Sequence, residues 1–222
     1  MIKLKNITKI YQQNSNNIVA LDDINLEFKE GELIVLKGAS GSGKSTILSL
    51  IAIMSKPTSG DIIVNNKHIS KLPDSFASKF RRDTVGFIFQ KYNLIDNLSV
   101  MDNILLPQIP SNPNKESLEI KLNNIMIRFN IFHKKDILVR NLSGGEQQRV
   151  AIARANINEP KIIIADEPTA NLDEELSLHF IDILKELKST NTTIVVATHD
   201  PLFFNLDFVD RVIEIKNGKI VL

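Results

Sequence analysis

The stretch Gly38-Ala39-Ser40-Gly41-Ser42-Gly43-Lys44-Ser45-Thr46 spaces three glycines around small polar residues and ends in a cation beside a hydroxyl. Glycine lets a backbone curl until successive N–H groups face one anion. The apolar segment that follows, Ile47–Met54, predicts a helix whose N-terminal end adds positive potential. Lys44 supplies a point charge for β- and γ-phosphates, and Ser45 offers a hydroxyl to Mg²⁺. The spacing Gly-x4-Gly-Lys-Ser is therefore that of a P-loop, a cradle for nucleotide phosphates. A second stretch, Lys161–Glu167, is an apolar strand that ends in two carboxylates. Asp166 could hold Mg²⁺, directly or through water, and Glu167 would then sit where it could polarise an attacking water. Alone, an acidic pair at a strand end often caps the next turn. Together with a P-loop it points to nucleotide hydrolysis.

The elements that must position these groups alternate in type. Strands are predicted at Ile2–Ile7, Ile24–Phe28, Glu32–Lys37, Asp61–Asn65, Val85–Phe89, Lys161–Asp166, Thr192–Thr198 and Arg211–Ile215, with the polar Gln12–Asn17 stretch as a turn. Helices are predicted at Ile47–Met54, Lys115–Phe129, Glu146–Asn156 and Glu174–Lys188. The last places Leu176, Phe180, Ile183, Leu184 and Leu187 on one face, the spacing of a core-packing helix. Alternation of this kind argues an α/β domain around a largely parallel sheet. Residues from about 91 to 141 are more polar, carry Pro107, Pro110 and Pro113, and then turn helical. They read as a helical lobe inserted into one domain spanning residues 1–222.

Composition removes several alternatives. The chain has 222 residues, 43% hydrophobic and 24% charged, which suits one globular domain rather than a disordered chain. A net charge of +1 provides no electrostatic footprint for nucleic acid or an anionic membrane surface. The absence of cysteine excludes disulfides and thiolate metal sites, and is compatible with a reducing cytoplasm. The N-terminus lacks the apolar core of a signal peptide, and no apolar run approaches the ~20 residues that span a bilayer. Direct membrane insertion is not expected, and any link to a membrane must come from a partner.

Leu142-Ser143-Gly144-Gly145-Glu146-Gln147-Gln148-Arg149 resembles the signature of ABC ATPases, which sets that family apart from other P-loop classes. The order of the remaining motifs resembles the family too: Gln90 matches the Q-loop, Asp166-Glu167-Pro168-Thr169 the end of Walker B, Asn171-Leu172-Asp173 the D-loop and His199 the switch histidine. The resemblance implies a P-loop NTPase fold of the ABC ATPase type: a RecA-like core with an antiparallel β subdomain and an inserted helical lobe. It implies ATP and Mg²⁺ as cofactors. Lys44 and the residues from Gly38 to Thr46 would hold ATP, and Ser45, Gln90 and Asp166 would hold the metal. Glu167 would activate water and His199 would hydrogen-bond the γ-phosphate. Tyr11 sits where the family places an aromatic that stacks on adenine.

In the family the signature serves the partner protomer's nucleotide. Ser143, Gly144, Gly145, Glu146 and Asp173 are therefore expected at an ATP-sandwiched homodimer interface with a twofold axis. Glu146 departs modestly from the pattern, since many members carry Gln at that place. The resemblance also implies an integral membrane permease subunit that holds this chain at the cytoplasmic face of the membrane. Apolar residues in Tyr92–Leu106 (Leu94, Ile95, Leu98, Val100, Ile104, Leu105 and Leu106) are candidates to receive a short helix of that subunit. Gly86–Leu94 and Ala165–Asp173 look most like the macrolide-export and lipoprotein-release subgroup. A cell-division-type ABC ATPase, which regulates cell-wall hydrolases without transport, is the alternative. Long heptads, which a DNA-repair ABC ATPase would carry, are absent. The other histidines, His68, His133 and His179, lack any such setting.

Overall fold

The computed structural model describes every residue except 14, 15, 112, 113, 171 and 222, so Pro113, Asn171 and the tip of the predicted Gln12–Asn17 turn lie outside the described residues. Two sheets form the frame. Strands β1 (Ile2–Gln13), β2 (Asn16–Phe28), β4 (Ser59–Val64) and β5 (Lys67–His68) make an antiparallel sheet in the order β2-β1-β4-β5. Strands β3 (Leu33–Lys37), β6 (Val85–Ile88), β7 (Ile162–Asp166), β8 (Thr193–Thr198), β9 (Arg211–Lys216) and β10 (Lys219–Val221) make a second sheet in the order β10-β9-β3-β8-β7-β6. Its strands are parallel except for β10, which turns back on β9.

The central parallel strands β3, β7 and β8 are apolar runs because both of their faces are covered. Ile34 and Leu36 of β3, Ile162 and Ile164 of β7, and Val195 and Ala197 of β8 face a core shared with the antiparallel sheet and with α1 (Lys44–Ile51). The alternate residues, Leu33, Val35, Ile163, Ala165, Ile194 and Val196, face a second core. That core is closed by α3 (Val100–Leu105), α4 (Lys115–Arg128), α5 (Gly144–Asn156) and α6 (Glu174–Ser189). On α6, Phe180, Ile183, Leu184 and Leu187 are buried as their spacing predicts.

Several elements depart from the sequence reading. β1 and β2 are far longer than Ile2–Ile7 and Ile24–Phe28, because they pair along a hairpin as far as Gln13 opposite Asn16. Helix α2 (Asp74–Thr84) has no predicted counterpart; its short apolar face is just Phe76, Ala77 and Phe80, of which only Ala77 is buried. Helix α3 lies within the apolar Tyr92–Leu106 run that offers candidates for a docking surface. Its Val100 and Ile104 are instead fully buried in the second core.

Candidate active site

In the six-stranded sheet the C-terminal ends of neighbouring strands lie side by side. Lys37 of β3 pairs with Thr198 of β8, and Asp166 of β7 pairs with Ala197. The loops that leave these ends carry Gly38–Ser45, His199 and Glu167, so residues far apart in sequence share one edge. This edge, outside the carboxyl ends of parallel strands, is where open α/β sheets bind ligands.

The Gly38–Thr46 loop is wedged between β2 and the β9–β10 turn. Gly218 N–H donates to the Ser42 carbonyl (2.9 Å). Gly43, at φ 109°, could not carry a side chain: a Cβ there would lie 2.8 Å from the Ala20 carbonyl oxygen. Gly43 is the N-cap of α1 and provides no side-chain cap, and the first turn holds no acid. By contrast α3, α4, α5 and α6 are each capped by a side chain, from Ser99, Asn114, Ser143 and Asp173. The first amides of α1 are thus left to an external anion. Ser42 Oγ is buried beside them, without a hydrogen-bond partner among the described residues.

Lys44 and Glu167 form the centre. Lys44 Nζ donates to the carbonyls of Gly38 (2.7 Å) and Ala39 (3.2 Å) and pairs with Glu167 Oε1 at 3.2 Å, the two side chains being 5% and 14% exposed. Glu167 has a left-handed backbone (φ 44°), pinned by its N–H to the Ala197 carbonyl (2.8 Å). Its Oε2 accepts from Thr198 Oγ1 (3.1 Å), His199 N (3.3 Å) and His199 Nδ1 (3.0 Å). Burial works to raise the Glu167 carboxyl, but the hydrogen bonds from His199, Lys44 and Thr198 and the Lys44 charge outweigh it. The group is held below its ordinary value and is ionised at neutral pH.

Asp166 is its counterpart. Burial raises its carboxyl, the Ser45 hydroxyl bond (3.0 Å) opposes this, and the Glu167 charge adds to the rise. Two adjacent carboxylates are thus set apart in behaviour by what faces them. Thr198, fully buried, is the residue that sequence reasoning missed. Its only signal was its place as the last residue of an apolar strand before His199. Thr169 Oγ1 donates to Asp200 (2.8 Å), tying together the loops after β7 and β8.

A divalent cation fits this donor set. Ser45 and Asp166 offer hard oxygens already 3.0 Å apart, and the amide of Gln90, at the end of β6, is of the same kind. Among the described residues no group of three or more His, Cys, Asp or Glu could hold a metal alone. That suits Mg²⁺, which takes one or two carboxylates and completes its shell with water and substrate phosphates.

The other predicted residues form a second group. Ser143 is the N-cap of α5 in a reciprocal capping box: its backbone N–H donates to Glu146 Oε2 (2.8 Å) and its Oγ accepts from Glu146 N (3.4 Å). The Ser143 hydroxyl also donates to Glu146 Oε2 (3.0 Å). Lys134 lies 3.5 Å from Oε1. The Ser143 N–H is the main cause that holds the Glu146 carboxyl below its usual range. Asp173 caps α6 by accepting from Leu176 N (2.9 Å), and a Cβ on Gly145 would meet Leu176 at 2.8 Å. Ser143, Gly144, Gly145, Glu146 and Asp173 therefore gather at the abutting starts of α5 and α6. Tyr11 lies on β1 with Lys9 over its ring (4.8 Å), and Lys9 pairs with Leu21, the neighbour of Gly43.

Residues 21–170 match the family model described as ABC transporter. The chain belongs to the ABC transporter family. It is an ATPase of that family. It is 42% identical to the ABC transporter ATP-binding protein MJ0796 of Methanocaldococcus jannaschii, over 99% of this chain and 95% of the relative. A solved dimer of MJ0796, in a post-hydrolysis state bound to ADP and Pi, superposes with a TM-score of 0.92 at 39% identity, covering 100% of this chain and 97% of that one. The methionine import ATP-binding protein of Histophilus somni is 39% identical over 96% of this chain and 60% of its own. The macrolide export ATP-binding/permease protein of Salmonella typhimurium is 35% identical over 100% of this chain and 34% of its own.

A groove of about 560 Å³ opens at Phe87 and Phe89, between α2, β6 and the C-terminal half of α5. Phe87, Phe89, Pro107, Pro110, Met54 and Arg154 line it. None of the seven apolar residues singled out in Tyr92–Leu106 lines it, because that run packs inward or lies elsewhere on the lobe. No helix among the described residues is long and apolar enough to cross a membrane.

Proposed function

We propose that this ABC ATPase drives a separate integral membrane permease, working as an ATP-sandwiched homodimer at the cytoplasmic face of the membrane. The observation that carries the catalytic part is the ionised Glu167 carboxylate, held between Lys44 and His199 next to the Ser45–Asp166 pair. Lys44 and the amides from Gly38 to Thr46 bind the β- and γ-phosphates. Ser45, Gln90 and Asp166 hold Mg²⁺, which when bound neutralises phosphate charge. Glu167 takes the proton of the attacking water, and His199 orients the γ-phosphate. Phosphoryl transfer asks mainly for positioning and electrostatic stabilisation, and this site offers both. Tyr11 stacks on adenine.

The second group supports the sandwich. Ser143, Gly144, Gly145, Glu146 and Asp173 cluster at the starts of α5 and α6, where a polar hydroxyl and the exposed Gly144 backbone can meet a second protomer's phosphates. The groove at Phe87 and Phe89, rimmed by Lys79, Arg81, Arg82 and Arg154, suits an amphipathic helix of the permease. Within the family, the sequence of Gly86–Leu94 and Ala165–Asp173 favours export or force transmission, in the manner of the macrolide-export subgroup.

The test is Glu167→Gln beside the wild type, with mass followed by light scattering with and without Mg-ATP. The variant should dimerise only with ATP and persist as a dimer, while the wild type hydrolyses and returns to monomer. Near-normal turnover in the variant would remove Glu167 from its role, and ATP binding without a dimer in either protein would refute the homodimer.

A further inference from the structure

Tyr92 and Asn93, two and three residues after Gln90, both have left-handed backbones (φ 59° and 49°). The consecutive pair Asn65–Asn66 has the same conformation in the two-residue hairpin between β4 and β5, where the turn demands it. Tyr92–Asn93 joins no strands, and for a bulky residue such as tyrosine the conformation is unfavourable unless surroundings impose it. The Tyr92 hydroxyl is buried without a hydrogen-bond partner among the described residues, so the turn is not held from the ring. It is held from the backbone. Arg154 Nη1 donates to the Asn93 carbonyl and Nη2 to the Tyr92 carbonyl, each at 2.6 Å. A planar fork suits two adjacent carbonyls in a way that a lysine ammonium does not.

Arg154 belongs to α5, the helix that begins at the Ser143 cap, and it also lines the groove with Phe87 and Phe89. One side chain therefore touches the turn after Gln90, the signature helix and the docking surface. We propose that Arg154 is the positioning residue of the Gln90 segment: its fork locks the Tyr92–Asn93 turn onto α5, so that Gln90 and the helix headed by Ser143 move as one body when a partner presses into the groove. The inference rests on the reading above in which Gln90 reaches Mg²⁺.

The test compares Arg154→Lys, Asn93→Gly and the double variant in the full chain. Arg154→Lys keeps the charge and loses the fork. It should raise the Mg²⁺ concentration for half-maximal ATPase and lower kcat by up to about a hundredfold, the scale on which misplacement remote from the chemistry acts. Nucleotide binding in EDTA, which does not involve Gln90, should stay unchanged. Glycine adopts the left-handed region freely, so Asn93→Gly should restore much of the loss in the double variant. Wild-type Mg²⁺ dependence in Arg154→Lys, or a loss that Asn93→Gly does not recover, overturns the proposal. If Arg154→Lys does not fold, hydrogen exchange on the wild type decides: the amides of residues 90–94 should be protected like the last turns of α5, and markedly faster exchange refutes the clamp. Gln90→Ala separates the two readings. If it leaves Mg²⁺ dependence unchanged, the role of Gln90 fails, and exchange of residues 90–94 in Arg154→Lys then tests the clamp alone.

Discussion

Lys44→Met isolates what the buried cation does for the fold from what it does for the nucleotide. Removing one partner of a buried ion pair typically costs about 3–5 kcal/mol, because the other charge is left uncompensated. Here the cost should be smaller. Glu167 would keep three donors, from Thr198 and from the backbone and ring of His199. Methionine fills most of the lysine volume, and Ala39 is exposed, so water can serve its carbonyl. What remains is roughly the loss of one charge-assisted bond, about 1–2 kcal/mol. At this chain length that lowers Tm by about 2–8 °C.

The effect on ATP should be far larger. Lys44 Nζ would exchange its present acceptors for phosphate oxygens, and two bonds to charged groups are together worth about 3 kcal/mol or more. That is a loss of about a hundredfold or more in affinity. Differential scanning calorimetry without added nucleotide and fluorescent-nucleotide titration at low temperature measure the two effects separately. A Tm drop beyond about 15 °C, which this scaling equates to about 4 kcal/mol or more, would make the Lys44–Glu167 pair chiefly structural. ATP affinity within about threefold of wild type, less than 1 kcal/mol, would show that Lys44 does not reach the phosphates.

Other predictions follow from the same contacts. Because burial raises the Asp166 carboxyl, its charge is a cost to the fold at neutral pH; Asp166→Asn should raise Tm while abolishing Mg²⁺-dependent turnover, and a lowered Tm would contradict this. Glu167 and Glu146 are shifted the other way, below 4.5. Their contribution is present in full above the unfolded value and lost as pH falls through the folded ones. Stability by circular dichroism should therefore decline below about pH 4.5, and Glu146→Gln should make that decline shallower.

The catalytic edge was legible in the sequence because its chemistry lies in short contiguous motifs. Gly38–Thr46, Asp166–Glu167 and His199 each follow an apolar run, and parallel strands buried on both faces write such runs plainly. What could not be read was contact between motifs. The sequence offers no sign that Thr198 donates to Glu167, or that Arg154 grips the backbone after Gln90, since both bonds link separate elements. Surface elements were hidden for another reason. Helix α2 buries only Ala77, and its apolar face of Phe76, Ala77 and Phe80 is too short to stand out among charged neighbours. At Tyr92–Leu106 composition could not say which residues pack inward, because a short helix buried on several sides reads like an exposed apolar patch: Val100 and Ile104 are buried while Ile95 is exposed.

Within the chain, the groups that would meet ATP already answer one another. Lys44 is held by Gly38, Ala39 and Glu167, Ser45 by Asp166, His199 by Glu167, and the Ser143 hydroxyl by Glu146. ATP binding is then an exchange of partners rather than a gain of new ones, so net affinity depends on how much better phosphate serves each donor than its internal acceptor does. The exchange has a directional consequence for Glu167. As Lys44 turns to phosphate, Glu167 loses a cation that helps hold its carboxyl down, while the Thr198 hydroxyl and the His199 backbone N–H stay in place to orient it. A carboxylate freed from its ammonium is a stronger base. On this argument nucleotide binding itself raises the basicity of Glu167, and the general base is activated only once there is a phosphate for water to attack.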